Sequence, residues 1–370
     1  MNGPTGVHDG ARKRVLVLYL ELAPYVLACL NALVTDHPVE VHLVRWPVNR
    51  EAPFELAFHP HVKVYDRHEL DDRALMELAR KVNPHLVLAS GWVDKGYLRV
   101  CRAMRAEQVA TVMTFDTAWR GDAKQWISTV GARFWVRRTF SHAWATGSRQ
   151  AEYAARLGFG QDHIRTGFYA ADTVPFIAAY ERTRKARRML PHRFVCVARY
   201  IPTKGQQELC DAFARLCDEG RAGDWDLWLV GTGELHEKVK NSASGRHERI
   251  HHQGFVQAER VPVLLDRCGV AVLPSLYEPW GVAVQEFACA GLPLLLSDAV
   301  GARERFLREG QNGFVHRAGD VEDLYRSLAA LIALPDDHLL AMSARSADLG
   351  KAWQPKDWAH VAVELLHHRA

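Results

Sequence analysis

The first stretch of apolar character in the chain is RVLVLYL, Arg14 to Leu20, a continuous run rather than an alternating one. Such a run reads as a parallel strand covered on both faces. A helical pattern follows from Pro24 to Val34, and then a second strand, VEVHLVRW, Val39 to Trp46. Further strands are expected in VKVYD from Val62, in HLVLAS around Leu86, in ATVMTFD around Val112 and in SHAWATG around Ala143. Amphipathic helices are expected between them, at Leu70 to Val82 and Tyr97 to Glu107. Strands alternating with helices predict a doubly wound parallel sheet, an α/β fold.

From about Ala171 to Pro191 the alternation lapses into a basic stretch holding Arg182, Arg184, Lys185, Arg187 and Arg188, which reads as a linker. Alternation then restarts in HRFVCVARY, DWDLWLVGTG, RIHHQGFV, GVAVLPS and LPLLLSD. The restart predicts a second Rossmann-like domain. The expected division is 1–175, 176–352, and a closing amphipathic helix in 353–370. At 370 residues two domains are the natural expectation. Ligands of open parallel sheets lie beyond the carboxyl ends of the strands, so two such sheets face each other across a cleft.

Composition narrows the function. The chain is 48% hydrophobic and 24% charged, and its net charge of +4 is small for a nucleic-acid binder. Cys29, Cys101, Cys196, Cys210, Cys217, Cys268 and Cys289 include no CxxC pair and read as small apolar residues in a reducing compartment. The polar start, MNGPTGVHDG, has no apolar stretch of signal-peptide type, and no run is long enough for a membrane span. The expectation is a cytoplasmic protein. Its nineteen histidines show no paired metal spacing, and Asp71–Asp72 and Asp336–Asp337 are isolated pairs rather than a DxD motif, so no metal is expected.

The segment YEPWGVAVQEFACAGLPLLLSD, Tyr277 to Asp298, carries the strongest chemistry. Glu278 and Glu286 stand eight positions apart. On one helix they would diverge by about 80° and lie ~12 Å apart. Pro279 disfavours helix at Glu278, and Gly281 starts the helix that carries Glu286, so both carboxylates can face one cleft. Free N–H groups near Gly281 and Val282 would suit phosphate, Glu286 a ribose diol, and Glu278 the hydroxyls of a sugar. Taken alone, the two glutamates would read as a helix cap and a surface charge.

Their context resembles the E-x7-E signature of retaining GT-B glycosyltransferases of family 4. Pro279, Trp280 and Gly281 stand between the two glutamates, and GLPLLLSD and GQNGFV (Gly310 to Val315) follow. VARYIPTKG, Val197 to Gly205, is similar to that family's GR…KG motif with Ala198 in the place of glycine. Arg199 offers a planar fork and Lys204 a point charge to a diphosphate. GTGEL, with Gly231 and Gly233, resembles the glycine turn beside the nucleotide. HHQGFV, with Phe255 and Val256, resembles the segment whose backbone meets the base. VGARE, with Gly301 and Glu304, stands in the place of a GGxxE.

The first half is less familiar. ELAPYV, Glu21 to Val26, lacks the glycines usual after the first strand. TFDTAW places Asp116 at the cleft, either beside the reacting sugar or as a strand-end cap, and Trp92, Trp119 and Arg120 could line a sugar platform or pack in the core.

The resemblance implies a GT-B fold of two Rossmann-like domains, the last helix packing back on the first. It also implies a nucleoside diphosphate sugar as donor, UDP before GDP, and transfer with retention to an acceptor hydroxyl of a glycan or lipid-linked acceptor, without metal or other cofactor. A GT-B epimerase and a catalytically silent nucleotide-sugar-binding subunit are the alternatives. The basic stretches at Arg182 to Arg188 and at Arg133 to Phe140 suit either an anionic membrane surface or simple solvation.

Overall fold

The computed structural model describes residues 12–47, 54 and 56–368. The polar start MNGPTGVHDG lies outside them. Thirteen strands among these residues form two all-parallel sheets. The first holds β1 (Lys13–Tyr19), β2 (Val39–Arg45), β3 (Val62–Asp66), β4 (Leu86–Ser90), β5 (Ala110–Phe115), β6 (His142–Ala145) and β7 (Ile164–Arg165), in the order β3-β2-β1-β4-β5-β6-β7. The second holds β8 (Arg193–Val197), β9 (Asp226–Val230), β10 (Ile250–Gly254), β11 (Val270–Leu273), β12 (Leu294–Ser297) and β13 (Gly313–His316), in the order β10-β9-β8-β11-β12-β13.

Both sheets reverse direction of growth beside their first strand, between β1 and β4 and between β8 and β11. These are the switch points at which crossing connections part and leave a crevice. The continuous apolar runs are buried on both faces as expected: Val15, Leu16, Val17 and Leu18 in β1, and Leu294, Leu295 and Leu296 in β12. The two-residue β7, and β13, which begins within GQNGFV, carry too short an apolar pattern to be read as strands from sequence.

Six helices matter for the site: α1 (Pro24–Asp36), α2 (Ala123–Thr139), α3 (Thr173–Ala179), α4 (Gln206–Asp218), α5 (Ala283–Cys289) and α6 (Pro355–His367). The last packs back on the first half of the chain. Trp358, Ala359, Ala362 and Leu365 enter one core with Leu27, Leu30 and Leu33 of α1. The Trp358 ring stacks on Trp144 at 4.8 Å, and its indole nitrogen donates to the Phe168 carbonyl at 2.7 Å. Proline at the first turn and a reciprocal Gln354–Asp357 cap start α6 where its backbone donors would otherwise be unmet.

The basic stretch expected as a linker is ordered differently. α3 runs into a wide π-type turn, Tyr180–Arg184, and Arg184 is buried, donating to the carbonyls of Leu265 and Cys268, both at 2.8 Å. Arg187 pairs with Asp266, and Lys185 with Glu181. Arg184 and Arg187 thus serve the protein's own packing, while Lys185 makes a surface pair. Among the described residues no helix is long and apolar enough to cross a membrane.

Candidate active site

The loops after β1, β8, β9, β10 and β11 meet at one cavity of about 650 Å³. Its walls include Arg199, Gly231, Phe255, Val256, Val282 and Glu286 from the second half, and Ala23, Pro24, Tyr25 and Asp172 from the first. Six of the thirteen residues singled out in sequence therefore line it. Arg199 emerges where β8 ends, beside the switch point with β11, and its guanidinium lies 3.9 Å from the Glu21 carboxylate of the opposite half.

Lys204 and Glu278 do not line the cavity; they form an ion pair, both side chains largely buried. Local geometry makes that pair. Gly205 has a left-handed backbone (φ 72°), and a Cβ there would run into the Pro274 carbonyl, so the loop before α4 lies flat on the loop after β11. The amides of Leu276 and Tyr277 both donate to the Thr203 carbonyl, at 2.8 and 3.2 Å. Gly231 is required for a similar reason: its Cβ position is filled by the Ala198 backbone, which brings the turn after β9 against the strand that delivers Arg199. Gly233 abuts the backbone of Tyr200 and packs instead of facing the cavity.

Glu286 sits in the first turn of α5, with Val282 as its N-cap and Gly281 at φ 93°. Glu278 is outside the helix, pairing with Val300 in an isolated bridge. The loop break expected from Pro279 is present. Burial, reinforced by Asp172 on the facing wall, pushes the Glu286 carboxyl up to about 7. Asp172 is itself raised by burial. Trp280 is in the core beneath the loop, its ring against Gly147 of the first half.

Asp116 comes close to the same centre. Burial raises its carboxyl, and the nearby carboxylates of Glu278 and Glu21 raise it further. Tyr169 donates to its Oδ2 at 3.4 Å. Trp92 and Trp119 form an aromatic cluster with Tyr153, while the Arg120 guanidinium lies 3.9 Å from the centre of the Tyr277 ring.

Several contacts across the cleft had no signal in sequence. The Gln150 amide donates to the Asp116 carbonyl at 2.9 Å and the Pro279 carbonyl at 2.7 Å. Glu304, in the expected GGxxE position, accepts from the Ser148 amide at 2.8 Å and from its hydroxyl. Gln285 accepts from the Ala171 amide at 2.8 Å and donates to the carbonyls of Gly350 and Trp353. Gln150 and Gln285 are buried polar side chains whose partners lie between 34 and 129 residues away in several directions. Only the alternation of Glu286 with Gln285 on a helix lining the cleft could have drawn attention to the second.

Among known proteins, the family model for glycosyl transferases group 1 matches residues 181–347. The uncharacterized glycosyltransferase YqgM of Bacillus subtilis is 32% identical over 135 residues, 35% of this chain and 36% of that protein. Glycogen synthase of Mycobacterium tuberculosis is 28% identical over 276 residues, 69% of this chain and 61% of that protein. The matched stretches thus span between 36% and 61% of these relatives' own length. Sucrose-phosphate synthase from Thermosynechococcus elongatus superposes with a TM-score of 0.71 at 16% identity, over 96% of this chain and 98% of that one. HepE of Anabaena, solved in complex with UDP, superposes with a TM-score of 0.69 at 16% identity, over 95% and 99%. At such identities the superpositions speak for the fold. The chain has the GT-B fold, and its residues 181–347 match the glycosyl transferases group 1 family.

Proposed function

We propose that this protein transfers a sugar from a nucleoside diphosphate donor to an acceptor hydroxyl, with retention of anomeric configuration and without a catalytic metal. The observation that carries the reading is the one cavity that Arg199, Phe255, Val256 and Glu286 line together. A base would lie against the Phe255–Val256 backbone, and Glu286, once ionised, would accept hydrogen bonds from both ribose hydroxyls.

Arg199 would take the diphosphate as a planar fork. Lys204, released from Glu278, would take the leaving phosphate, and Glu278 would turn to the hydroxyls of the sugar. The ion pair holds both groups in a partly dry site, where a preformed cation stabilises developing negative charge without reorganising solvent. In a front-face displacement the bond from the anomeric carbon to the leaving phosphate oxygen breaks as the acceptor oxygen bonds to that carbon. The departing phosphate receives the acceptor's proton.

UDP is the preferred nucleotide in this reading. It is the one bound by HepE, a protein of the same fold. The acceptor is proposed to be a glycan or a lipid-linked sugar, in polysaccharide or glycolipid assembly.

A thermal-shift panel of UDP, GDP, ADP and dTDP with their sugar conjugates, with and without EDTA, tests the donor site. Saturation at 100 times the dissociation constant adds about 2.7 kcal/mol of stability. One nucleotide should stabilise the chain equally with and without EDTA; no shift from any of them would remove the reading. Proton NMR of the product's anomeric configuration decides retention.

A further inference from the structure

Helix α2 turns an apolar face to solvent. Ile127, Val130 and Phe134 are 76%, 72% and 75% exposed, and Trp126 is 51% exposed. Three and four positions apart, Ile127, Val130 and Phe134 share one stripe along the helix. The opposite stripe, with Ala132 and Val136, is buried in the first half's core. A surface helix ordinarily sets polar residues opposite its buried face, whereas a helix apolar all round is ordinarily covered on all sides. α2 is covered on one.

Charge accompanies the stripe. Arg133, Arg137 and Arg138 are all exposed, and the stems of Arg133 and Arg137 lie across the Gly158 turn. No aspartate or glutamate occurs between Asp122 and Glu152. The Arg156 guanidinium lies 5.1 Å from the centre of the Trp126 ring, with its charge paired to Glu152 at 2.8 Å.

The helix is also tied to the site. Asp122 caps it by accepting from the Gln125 amide at 2.8 Å. The Gln125 side chain accepts from the Arg120 amide at 2.7 Å and donates to the Ala118 carbonyl at 2.9 Å. The strap from Asp116 to α2 is thereby held as one piece, with Trp119 edge-on to Trp126 at 5.3 Å.

We propose that α2 docks the protein on an anionic lipid bilayer, with Ile127, Val130 and Phe134 entering the interface and Arg133, Arg137 and Arg138 meeting the lipid phosphates. Stripe and cations together match the two attractions that hold an interfacial helix, apolar burial and headgroup charge. A second copy of the chain is disfavoured as occupant because a two-fold contact through this face would oppose one arginine cluster to its own image. Docking through α2 would bring the 117–121 strap, bonded to that helix through Gln125, toward the bilayer, and with it the Asp116 side of the cleft for an acceptor anchored in lipid. The docking surface stands apart from the transferase reading; only that last consequence rests on it.

Flotation of the full chain with phosphatidylcholine vesicles, with and without phosphatidylglycerol, tests the surface. The chain should float with the anionic vesicles and lose binding as salt rises. Ile127→Ser with Phe134→Ser should cut the bound fraction at least about tenfold, since two side chains no longer leave water. Replacing Arg133, Arg137 and Arg138 by Gln should weaken binding roughly fivefold per arginine. All five sites are exposed, and UDP binding with an unchanged melting temperature would certify each variant as folded. Absence of flotation with anionic vesicles, or variants that float like the parent, would overturn the proposal. So would a dimer in sedimentation equilibrium that the serine pair dissolves while vesicles are ignored. Loss of UDP binding in the parent chain would instead count against the transferase reading and leave the docking surface to be judged by flotation.

Discussion

Lys204 and Glu278 neutralise each other at the edge of the cleft, each by a side chain largely withdrawn from water. The pair joins the loop before α4 to the loop after β11, and under the proposed function a diphosphate and its sugar would compete for the two partners separately.

That competition has opposite signs for the two residues. Lys204→Ala should lower UDP affinity about tenfold to a hundredfold, the worth of one charged hydrogen bond, and turnover with it. Glu278→Gln frees the ammonium, so UDP should bind as well as before or more tightly while sugar transfer falls. Calorimetric titration of both variants with UDP, beside their turnover, checks the pair. Parallel losses of UDP affinity in both would show that the ion pair only supports the loop.

Glu286 makes binding depend on pH. Its carboxyl is raised to about 7 by burial and by Asp172, and only its ionised form accepts from both hydroxyls of a ribose. Nucleotide affinity should rise with pH through 7 and weaken about tenfold per unit below it. Stability runs the other way. A folded value above the unfolded one means the native chain holds the extra proton between about 4.5 and 7, so this group's contribution is full below that range and is lost as pH rises through it. Glu286→Gln should flatten both dependences. Titrations in buffers of different ionisation enthalpy measure the proton released.

Gln150 couples the halves, since one amide serves the Asp116 and Pro279 carbonyls. Gln150→Leu leaves two carbonyls without that donor at a buried site and should destabilise by about 1–3 kcal/mol. Because Asp116 and Pro279 flank the cleft from opposite sides, kcat should fall more than nucleotide affinity. Denaturant unfolding and UDP titration of the same variant separate the two effects.

Trp358 tests the return of α6. It stacks on Trp144 and donates to Phe168, so Trp358→Ala should cost about 3–5 kcal/mol of unfolding free energy. Guanidinium unfolding followed by circular dichroism reads the loss.

Much of this protein was legible before its fold. The alternation of strand-like and helix-like segments located eleven of the thirteen strands, and the loop break at Pro279 separated Glu278 from the helix of Glu286. Those features depend on local steric and solvation rules that neighbouring residues settle among themselves. The lining position of Arg199 followed from a strand end, since a parallel sheet delivers its carboxyl ends to one side, that of Glu286 from the helix start after β11, and that of Val256 from the family resemblance. Distance in sequence hid the rest. Arg184 read as a solvated linker charge, yet the carbonyls of Leu265 and Cys268, some eighty residues on, take its guanidinium inside. Gln150 and Gln285 looked like any surface amides until the two halves met. The outward stripe of α2 is ordinary apolar sequence, and only packing decides which of a helix's apolar faces is left uncovered. Side-chain period and backbone sterics are written residue by residue, whereas burial, pairing and the raised carboxyl of Glu286 arise where segments far apart in the chain exclude water from one another.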